Sequence, residues 1–245
     1  ANPGADGNNL YGVATVSSTD AWAVGSKVSG STTSAMIQRY DSSTTTWNNY
    51  TVTVANSTES SLIGVVAASS SDVWAVGYAR PSGVTPQPLK TLTMHWDGTS
   101  WSRVTSPNVG SGDNKLFGVT FVQSTSTVAW AVGASGSATA SSSLVMKLDT
   151  TESSPPQWVI VPSDNLEDAN TCLRGVTAPE TDSGWAAGYS GSDCFLDSPE
   201  TNPTNLDSET IILKYDANFS RWDLVTTPNP GNGQGDINKL LGISS

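Results

Sequence analysis

The chain has 245 residues and a net charge of −11, from 22 acidic and 11 basic side chains. Only 13% of its residues are charged, about half the usual share in soluble proteins. Long solvated helices and coiled coils need many Glu, Lys and Arg, so this composition disfavours them. The acidic balance argues against nucleic acid as a partner. No apolar run approaches the roughly 20 residues of a membrane helix, so we expect no membrane insertion.

Four short phrases recur in the same order along the chain. The glycines of the first phrase, Leu-x-Gly-Val/Ile, are Gly12, Gly64, Gly118, Gly175 and Gly242. The second phrase, Trp-Ala-Val/Ala-Gly, begins at Trp22, Trp74, Trp130 and Trp185. The third phrase ends at Asp41, Asp97, Asp149 and Asp216. The fourth phrase begins at Trp47, Trp101, Trp158 and Trp222. Successive glycines of the first phrase are 52, 54, 57 and 67 residues apart, so each period carries four phrases.

Each phrase is rich in Val, Trp, Tyr and Thr and is bounded by Ser, Asp, Gly or Pro, which is typical of strands separated by turns. Four antiparallel strands per period, repeated in tandem, predict an all-β β-propeller. In the second phrase Trp and Val share one side of the strand and Ala and Gly the other. We therefore expect a large face of each blade to pack against a small face of its neighbour.

We predict one propeller domain over 1–245, with four complete blades and the first strand of a fifth. The predicted complete blades are 8–57, 58–111, 112–168 and 169–235, and the partial blade is 236–245. A propeller cut after one strand has an open edge, which predicts self-association there. For this reason we expect the chain to be part of a longer array of five or more blades.

The phrase that begins at Ser71 and runs to Gly77, followed by His95-Trp96-Asp97-Gly98-Thr99-Ser100-Trp101, resembles the tandem repeats of secreted or surface-attached bacterial β-propellers of unassigned function. The resemblance covers essentially the whole chain. The turn from Asp97 to Trp101 is also similar to the Asp-box of sialidase-type propellers. The spacing from Asp to Trp varies between repeats, and such a turn stabilises the fold without taking part in hydrolysis.

Topology favours one end of the blades for ligand binding. The turns from first to second and from third to fourth strand are short and repetitive. The other connections are expected to be long and irregular, including 79–90, 134–143 and 190–209 and the glycine-rich joints 108–114 and 229–236. Variable loops on a rigid scaffold commonly carry recognition. The predicted ligand face comprises Arg80, Asp113, Asn114, Asp193, Asp197, Glu200 and Asp236.

Acidic residues allow two readings. The loop 190–209 carries five acidic side chains that suit Ca²⁺, although it has no calcium-binding motif and a solvated insertion is the favoured interpretation. Asp20 and Asp72 precede the second phrase, where a metal site is the alternative to a turn in which the carboxylate accepts backbone hydrogen bonds. We favour the turn, and we expect no cofactor.

Cys172 and Cys194 lie in the same predicted blade, and both positions project toward the same end of it. A disulfide is therefore geometrically reasonable, with two separate thiols as the alternative. The scarcity of cysteine, the richness in Ser and Thr and the family resemblance favour the disulfide, which implies an extracytoplasmic location.

All nine tryptophans fall within the repeated phrases, so we expect core packing and not a sugar-binding platform. His95 is the only histidine. Aligned with Gln38, Lys147 and Lys214, it is expected on a half-exposed strand face without a catalytic role.

The sequence therefore predicts an extracellular or cell-surface propeller without catalytic activity, which binds a protein or polysaccharide or serves as a structural module through its long-loop face. A lectin-like propeller is the alternative. A glycosidase needs paired carboxylates, and a sialidase-like site also needs clustered arginines, whereas the five arginines are scattered. An Asp-box glycosidase and a membrane-complex assembly factor are the less favoured alternatives.

Overall fold

The computed structural model describes residues 2–83, 87–137, 140–151, 156–166, 170–191, 195, 209–227, 240 and 243. All regular structure in this part of the chain is β, which confirms the predicted fold class. Within these residues there is no helix that could span a membrane.

The described residues form sixteen strands. In 1–106 they are β1 (Gly7–Ser17), β2 (Asp20–Ser29), β3 (Thr32–Asp41), β4 (Thr46–Tyr50), β5 (Ser57–Ser69), β6 (Asp72–Pro81), β7 (Lys90–Trp96) and β8 (Trp101–Val104). In 107–245 they are β9 (Asp113–Phe121), β10 (Val128–Ser137), β11 (Ala140–Asp149), β12 (Trp158–Ile160), β13 (Thr171–Glu180), β14 (Ser183–Ser190), β15 (Thr210–Asp216) and β16 (Arg221–Val225).

The strands make four antiparallel sheets in which each strand pairs with the next along the chain: β1 to β4, β5 to β8, β9 to β12 and β13 to β16. We call them the first to fourth sheets. This up-and-down order is the blade architecture of β-propellers. The chain divides into two compact units, 1–106 and 107–245, with two sheets each. The single domain over 1–245 and the blade boundaries stay predictions, and most of 236–245 lies outside the described residues.

The glycine of the second phrase is required by a bulge in the neighbouring strand. In the first sheet the register between β1 and β2 shifts between Leu10 and Gly12, which leaves Tyr11 unpaired in the ladder. The shift brings the carbonyl oxygen of Asn9 over Gly25, where any Cβ would clash with it. Corresponding clashes with the backbone of the preceding strand exclude a side chain at Gly77, Gly133 and Gly188.

The glycine of the first phrase has a different role, because it lets first strands of neighbouring sheets approach each other. A Cβ at Gly12 would lie 2.7 Å from the carbonyl oxygen of Ile63 in the second sheet. In the other unit, a Cβ at Gly118 would lie 2.8 Å from that of Arg174. The two glycines of each repeat therefore serve packing within and between sheets.

In the first unit, the face of the first sheet that bears Trp22 packs against the second sheet. Trp22 is fully buried, and its ring centroid lies 5.2 Å from that of Trp96 and 5.3 Å from that of Trp101. Tyr50 completes the cluster at 5.1 Å from Trp22. Ala75 is also among the buried partners, so the contacting face of the second sheet carries small side chains on β6 and large rings on β7 and β8.

The second unit repeats this arrangement. The ring of Trp130 lies 4.8 Å from that of Tyr215 and 5.1 Å from that of Trp222, both in the fourth sheet. These contacts join the third and fourth sheets around a buried apolar cluster that includes Leu173 and Ala186. Six of the nine tryptophans are buried, which confirms the core assignment for Trp22, Trp74, Trp96, Trp130, Trp158 and Trp222.

The expectation of an irregular loop over 134–143 is wrong. β10 and β11 continue through most of this range and remain paired as far as Ser137 opposite Ala140. Pairing with the neighbouring strand satisfies the backbone groups of its Ala, Ser and Gly residues, so the ladder extends where an irregular loop was expected.

Candidate functional site

The aspartate that ends each third strand organises the hairpin that follows it. Oδ1 of Asp97 accepts hydrogen bonds from the amides of Thr99 and Ser100 and from the Thr99 hydroxyl, at 2.7 to 2.8 Å. Similar Asp-led turns occur at Asp41, Asp149 and Asp216. The hydrogen bonds from Thr99 and Ser100 lower the pKa of Asp97 to about 2. These carboxylates therefore hold turns, as expected for the Asp-box-like hairpins.

Asp20 has a different partner from the one expected. It receives two hydrogen bonds from Arg39 on β3, from Nε at 2.8 Å and from Nη2 at 2.7 Å. Their side chains are only 15% and 24% exposed, and the bond to Asp20 is the main cause of a raised Arg39 pKa. The guanidinium carbon of Arg39 also lies 4.8 Å from the Trp22 ring centroid. The guanidinium of Arg39 is therefore held both by its hydrogen bonds to Asp20 and by its contact with the Trp22 ring.

The second sheet places another pair at the same positions. Oδ1 of Asp72 lies 2.9 Å from Nε2 of His95 and accepts a hydrogen bond from Nε1 of Trp74 at 3.1 Å. The imidazole stacks on the Trp74 ring with centroids 4.3 Å apart. Asp72 is thus bound across the strands, like Asp20.

The predicted alignment of His95 with Gln38 is wrong by one residue. His95 pairs with Trp74 in the ladder, whereas Trp22 pairs with Arg39. His95 therefore corresponds to Arg39. Lys147 and Lys214 occupy this position in the other two sheets, opposite Trp130 and Trp185.

The expectation that Asp20 and Asp72 accept hydrogen bonds from their own turns is also wrong. In both turns a hydroxyl oxygen accepts the backbone hydrogen bond instead. The Thr19 amide donates to Oγ of Ser17, and the Ser71 amide donates to Oγ of Ser69. The aspartates instead bond Arg39 and His95 on the third strands.

An aspartate two residues before the tryptophan of the second phrase occurs only in the first and second sheets. Val128 and Ser183 occupy the position of Asp20 in the third and fourth sheets, two residues before the tryptophan of the second phrase. Lys214 lies 5.5 Å above the Trp185 ring, so the contact between cation and aromatic ring persists there without the carboxylate. The first and second sheets therefore differ chemically from the other two at an equivalent place.

A pocket of about 340 Å³ opens beside the Asp20–Arg39 pair. It lies where the β1–β2 turn and the β3–β4 hairpin meet at one end of the first sheet. Its lining consists of Thr19, Asp20, Arg39, Tyr40, Asp41, Ser42, Asn48 and Tyr50. Such a volume is in the range of small-ligand sites, about 300–1,000 Å³. We call this the first-sheet pocket.

Both tyrosines of the pocket are supported from behind by other aromatic rings. Tyr50 packs on Trp22 and lies 5.3 Å from Trp96. Tyr40 packs on Trp47 with centroids 5.6 Å apart. Both tyrosines remain partly exposed, so the pocket combines fixed aromatic rings with fixed polar groups.

The first-sheet pocket lies at the β1–β2 and β3–β4 turns, whereas the ligand face is predicted at the other connections. Of that predicted face, Asp193, Asp197, Glu200 and Asp236 lie outside the described residues, so the face itself stays a prediction.

The remaining three residues of the predicted face are described. Arg80 donates to Glu59 at 2.9 Å and to the carbonyl oxygen of Gln87 at 2.6 Å. Asp113 begins β9 and is partly exposed. Asn114 is fully buried and bonds both the amide and the carbonyl of Val109, so it closes the loop before β9. Arg80 and Asn114 thus have structural partners.

Cys172 is fully buried in β13, with Sγ 3.4 Å from the carbonyl oxygen of Tyr189. Cys194 lies outside the described residues, so their disulfide stays a prediction. In the part of the chain that is described, no three side chains of His, Cys, Asp or Glu gather as metal ligands would. The acidic loop considered for Ca²⁺ is mostly outside that part.

No protein-family model and no curated protein matches the sequence. Solved structures similar to this chain include BT0996 in an RGII complex, at 8% identity and a TM-score of 0.43, covering 89% of this chain and 72% of that one. Another is Sqt1 from Chaetomium thermophilum, at 9% identity and a TM-score of 0.33, covering 96% of this chain and 74% of that one. At these values the similarity does not bear on the ligand.

Proposed function

We propose that this protein is a non-catalytic binding module built from propeller-type blades, and that the first-sheet pocket is a ligand site. The observation that carries the proposal is the Asp20–Arg39 pair, held in one orientation beside two supported tyrosine rings. Fixed polar groups and fixed aromatic surface lower the cost of ordering a site when a ligand binds.

The state of the carboxylates supports binding without catalysis. A glycosidase needs a carboxyl group that holds a proton near neutral pH. Both oxygens of Asp20 accept bonds from Arg39, and bonds from Ser43 lower the pKa of Asp41. Asp41 is therefore a poor general acid, and the carboxylate of Asp20 is held by Arg39.

We also propose that the module works outside the cell or at its surface, where a protein or polysaccharide partner would present the ligand. The expected Cys172–Cys194 disulfide and the resemblance to secreted or surface-attached propellers support this location. We also propose that the larger partner contacts the long-loop face.

A ligand screen on the full chain tests the proposal. Thermal unfolding is followed with uncharged, cationic and anionic small polar compounds, for the wild type and for Asn48→Ala, which alters an exposed lining residue. Asp72→Asn is the matched control, because it changes the equivalent of Asp20 outside the pocket. We expect compounds that stabilise the wild type and Asp72→Asn, but not Asn48→Ala. Equal stabilisation of all three proteins, or of none, would contradict the proposal.

A further inference from the structure

We infer that the first-sheet pocket takes a neutral, hydroxyl-rich ring, of the kind presented by a hexopyranose. This inference rests on the proposed function, because it names the ligand class of the same pocket. The charge of the lining, its hydrogen-bonding groups and its aromatic rings all favour such a ligand.

Charge disfavours an anion. The lining holds one cation, Arg39, and two carboxylates, Asp20 and Asp41. The Arg39 charge is already neutralised by two short hydrogen bonds to Asp20. A phosphate or uronate would therefore meet an excess of negative charge in the pocket and a net charge of −11 over the chain.

The two carboxylates of the lining are also poorly placed to bind a cation. Both oxygens of Asp20 are bound to Arg39, whose guanidinium would face an incoming ammonium group. Asp41 lies in the exposed hairpin and already accepts bonds from the Ser43 amide and hydroxyl. A solvated carboxylate of this kind contributes little to binding a cation.

The hydrogen-bonding groups of the lining suit a ligand that carries hydroxyl groups. Each carboxylate oxygen of Asp20 keeps acceptor capacity beyond its bond to Arg39, and Asn48 offers both a donor and an acceptor. A vicinal diol can donate to Asp20 and accept from Asn48 at the same time. Thr19 and Ser42 add hydroxyl groups that take either role.

The aromatic rings of the lining also suit a sugar. A pyranose has apolar C–H faces that pack on aromatic rings, and Tyr40 and Tyr50 supply rings already held by Trp47 and by Trp22. The pocket volume, about 340 Å³, is near the lower end for ligand sites and suits a single sugar residue. Trp22 and Trp47 support the site from outside its lining.

The test compares matched sugars on the full chain by saturation-transfer NMR and titration calorimetry. The probes are methyl glycosides of glucose, galactose, mannose and fucose, with glucosamine as the cationic match and methyl glucuronide as the anionic match. We expect at least one neutral glycoside to bind, and its charged match to bind at least about tenfold more weakly.

Variants locate the binding. We expect Tyr40→Ala to weaken it at least about tenfold and Tyr40→Phe to retain it, because the ring and not the hydroxyl makes the stacking contact. Asp20→Asn should weaken it to a similar degree, whereas Asp72→Asn should leave it unchanged. Asn48→Ala, on an exposed residue, covers the case in which Asp20→Asn does not fold.

The outcomes separate this inference from the proposed function. Charged compounds that bind in the pocket while every neutral glycoside fails would overturn the sugar class and leave the binding module standing. Neutral glycosides that bind Tyr40→Ala and Asn48→Ala as well as the wild type would overturn the inference, because the ligand would bind elsewhere. If no probe of any charge binds at the pocket, both fail.

Discussion

Nε2 of His95 lies 2.9 Å from Oδ1 of Asp72, in the second-sheet positions that Arg39 and Asp20 occupy in the first sheet. The two pairs share one design, in which a third-strand donor lies over a second-strand tryptophan and bonds the aspartate two residues before it. The chemistry of the donor changes between sheets while the geometry is kept.

This equivalence predicts the effect of exchanging the donor. His95→Arg should stay within about 1 kcal/mol of the wild type in free energy of unfolding, because arginine already satisfies this position in the first sheet. His95→Ala should lose about 1–2 kcal/mol, since Asp72 loses a partner and Trp74 a stacked ring. Urea unfolding at neutral pH measures both variants. Equal losses would show that the two positions are not equivalent.

The glycine of the second phrase gives a second prediction. Gly77→Ala should destabilise the protein by about 2 kcal/mol or more, because its Cβ would clash with the carbonyl oxygen of Ser61. Gly7→Ala is the control, since a Cβ there makes ordinary contacts at 3.7 Å with Val28. The clash arises because the register between β5 and β6 shifts between Leu62 and Gly64. Thermal and urea unfolding compare the two variants, and a Gly77→Ala protein as stable as Gly7→Ala would refute the role assigned to this glycine.

Acid unfolding tests the Asp97 turn. The pKa of Asp97 is about 2 in the folded protein, below its ordinary value, so the carboxylate form favours folding. Its contribution is present above the unfolded pKa, near 4, and is lost as the pH falls toward 2. Between these values, stability should fall less steeply with decreasing pH in Asp97→Asn than in the wild type. Parallel curves for the two proteins would contradict this.

The cysteine pair can be tested by mass spectrometry. If Cys172 and Cys194 form a disulfide, the denatured, unreduced chain should take up no alkylating reagent, and the reduced chain should take up two equivalents. Removing the bond should lower stability by roughly 3 kcal/mol, as expected for a loop of about twenty residues. Alkylation without reduction would establish free thiols.

The repeat could be read from the sequence because its strand phrases and hairpin aspartates are local signals. Asp97 and its turn partners are within three residues of one another, so spacing alone identifies the turn. The partner of Asp20 is nineteen positions away on β3. Finding it requires the register of β2 against β3.

A local signal for the correct register was nevertheless present. Counting two residues back from the hairpin aspartate places His95 with Arg39, Lys147 and Lys214. The first-sheet pocket had no such signal, because it depends on two turns that lie side by side only after β1 to β4 have paired. Asp20 and Asp41 belong to the repeated phrases, but nothing in those phrases indicates that they line one pocket.

The aromatic cluster of the first unit has a consequence for biosynthesis. Trp22, Tyr50, Trp96 and Trp101 all precede residue 107, where the second compact unit begins. Every ring that covers Trp22 in this cluster has therefore left the ribosome before the Trp130 cluster is complete. The nascent chain can therefore bury its first large apolar face early. This shortens the time for which an aggregation-prone surface is exposed during synthesis.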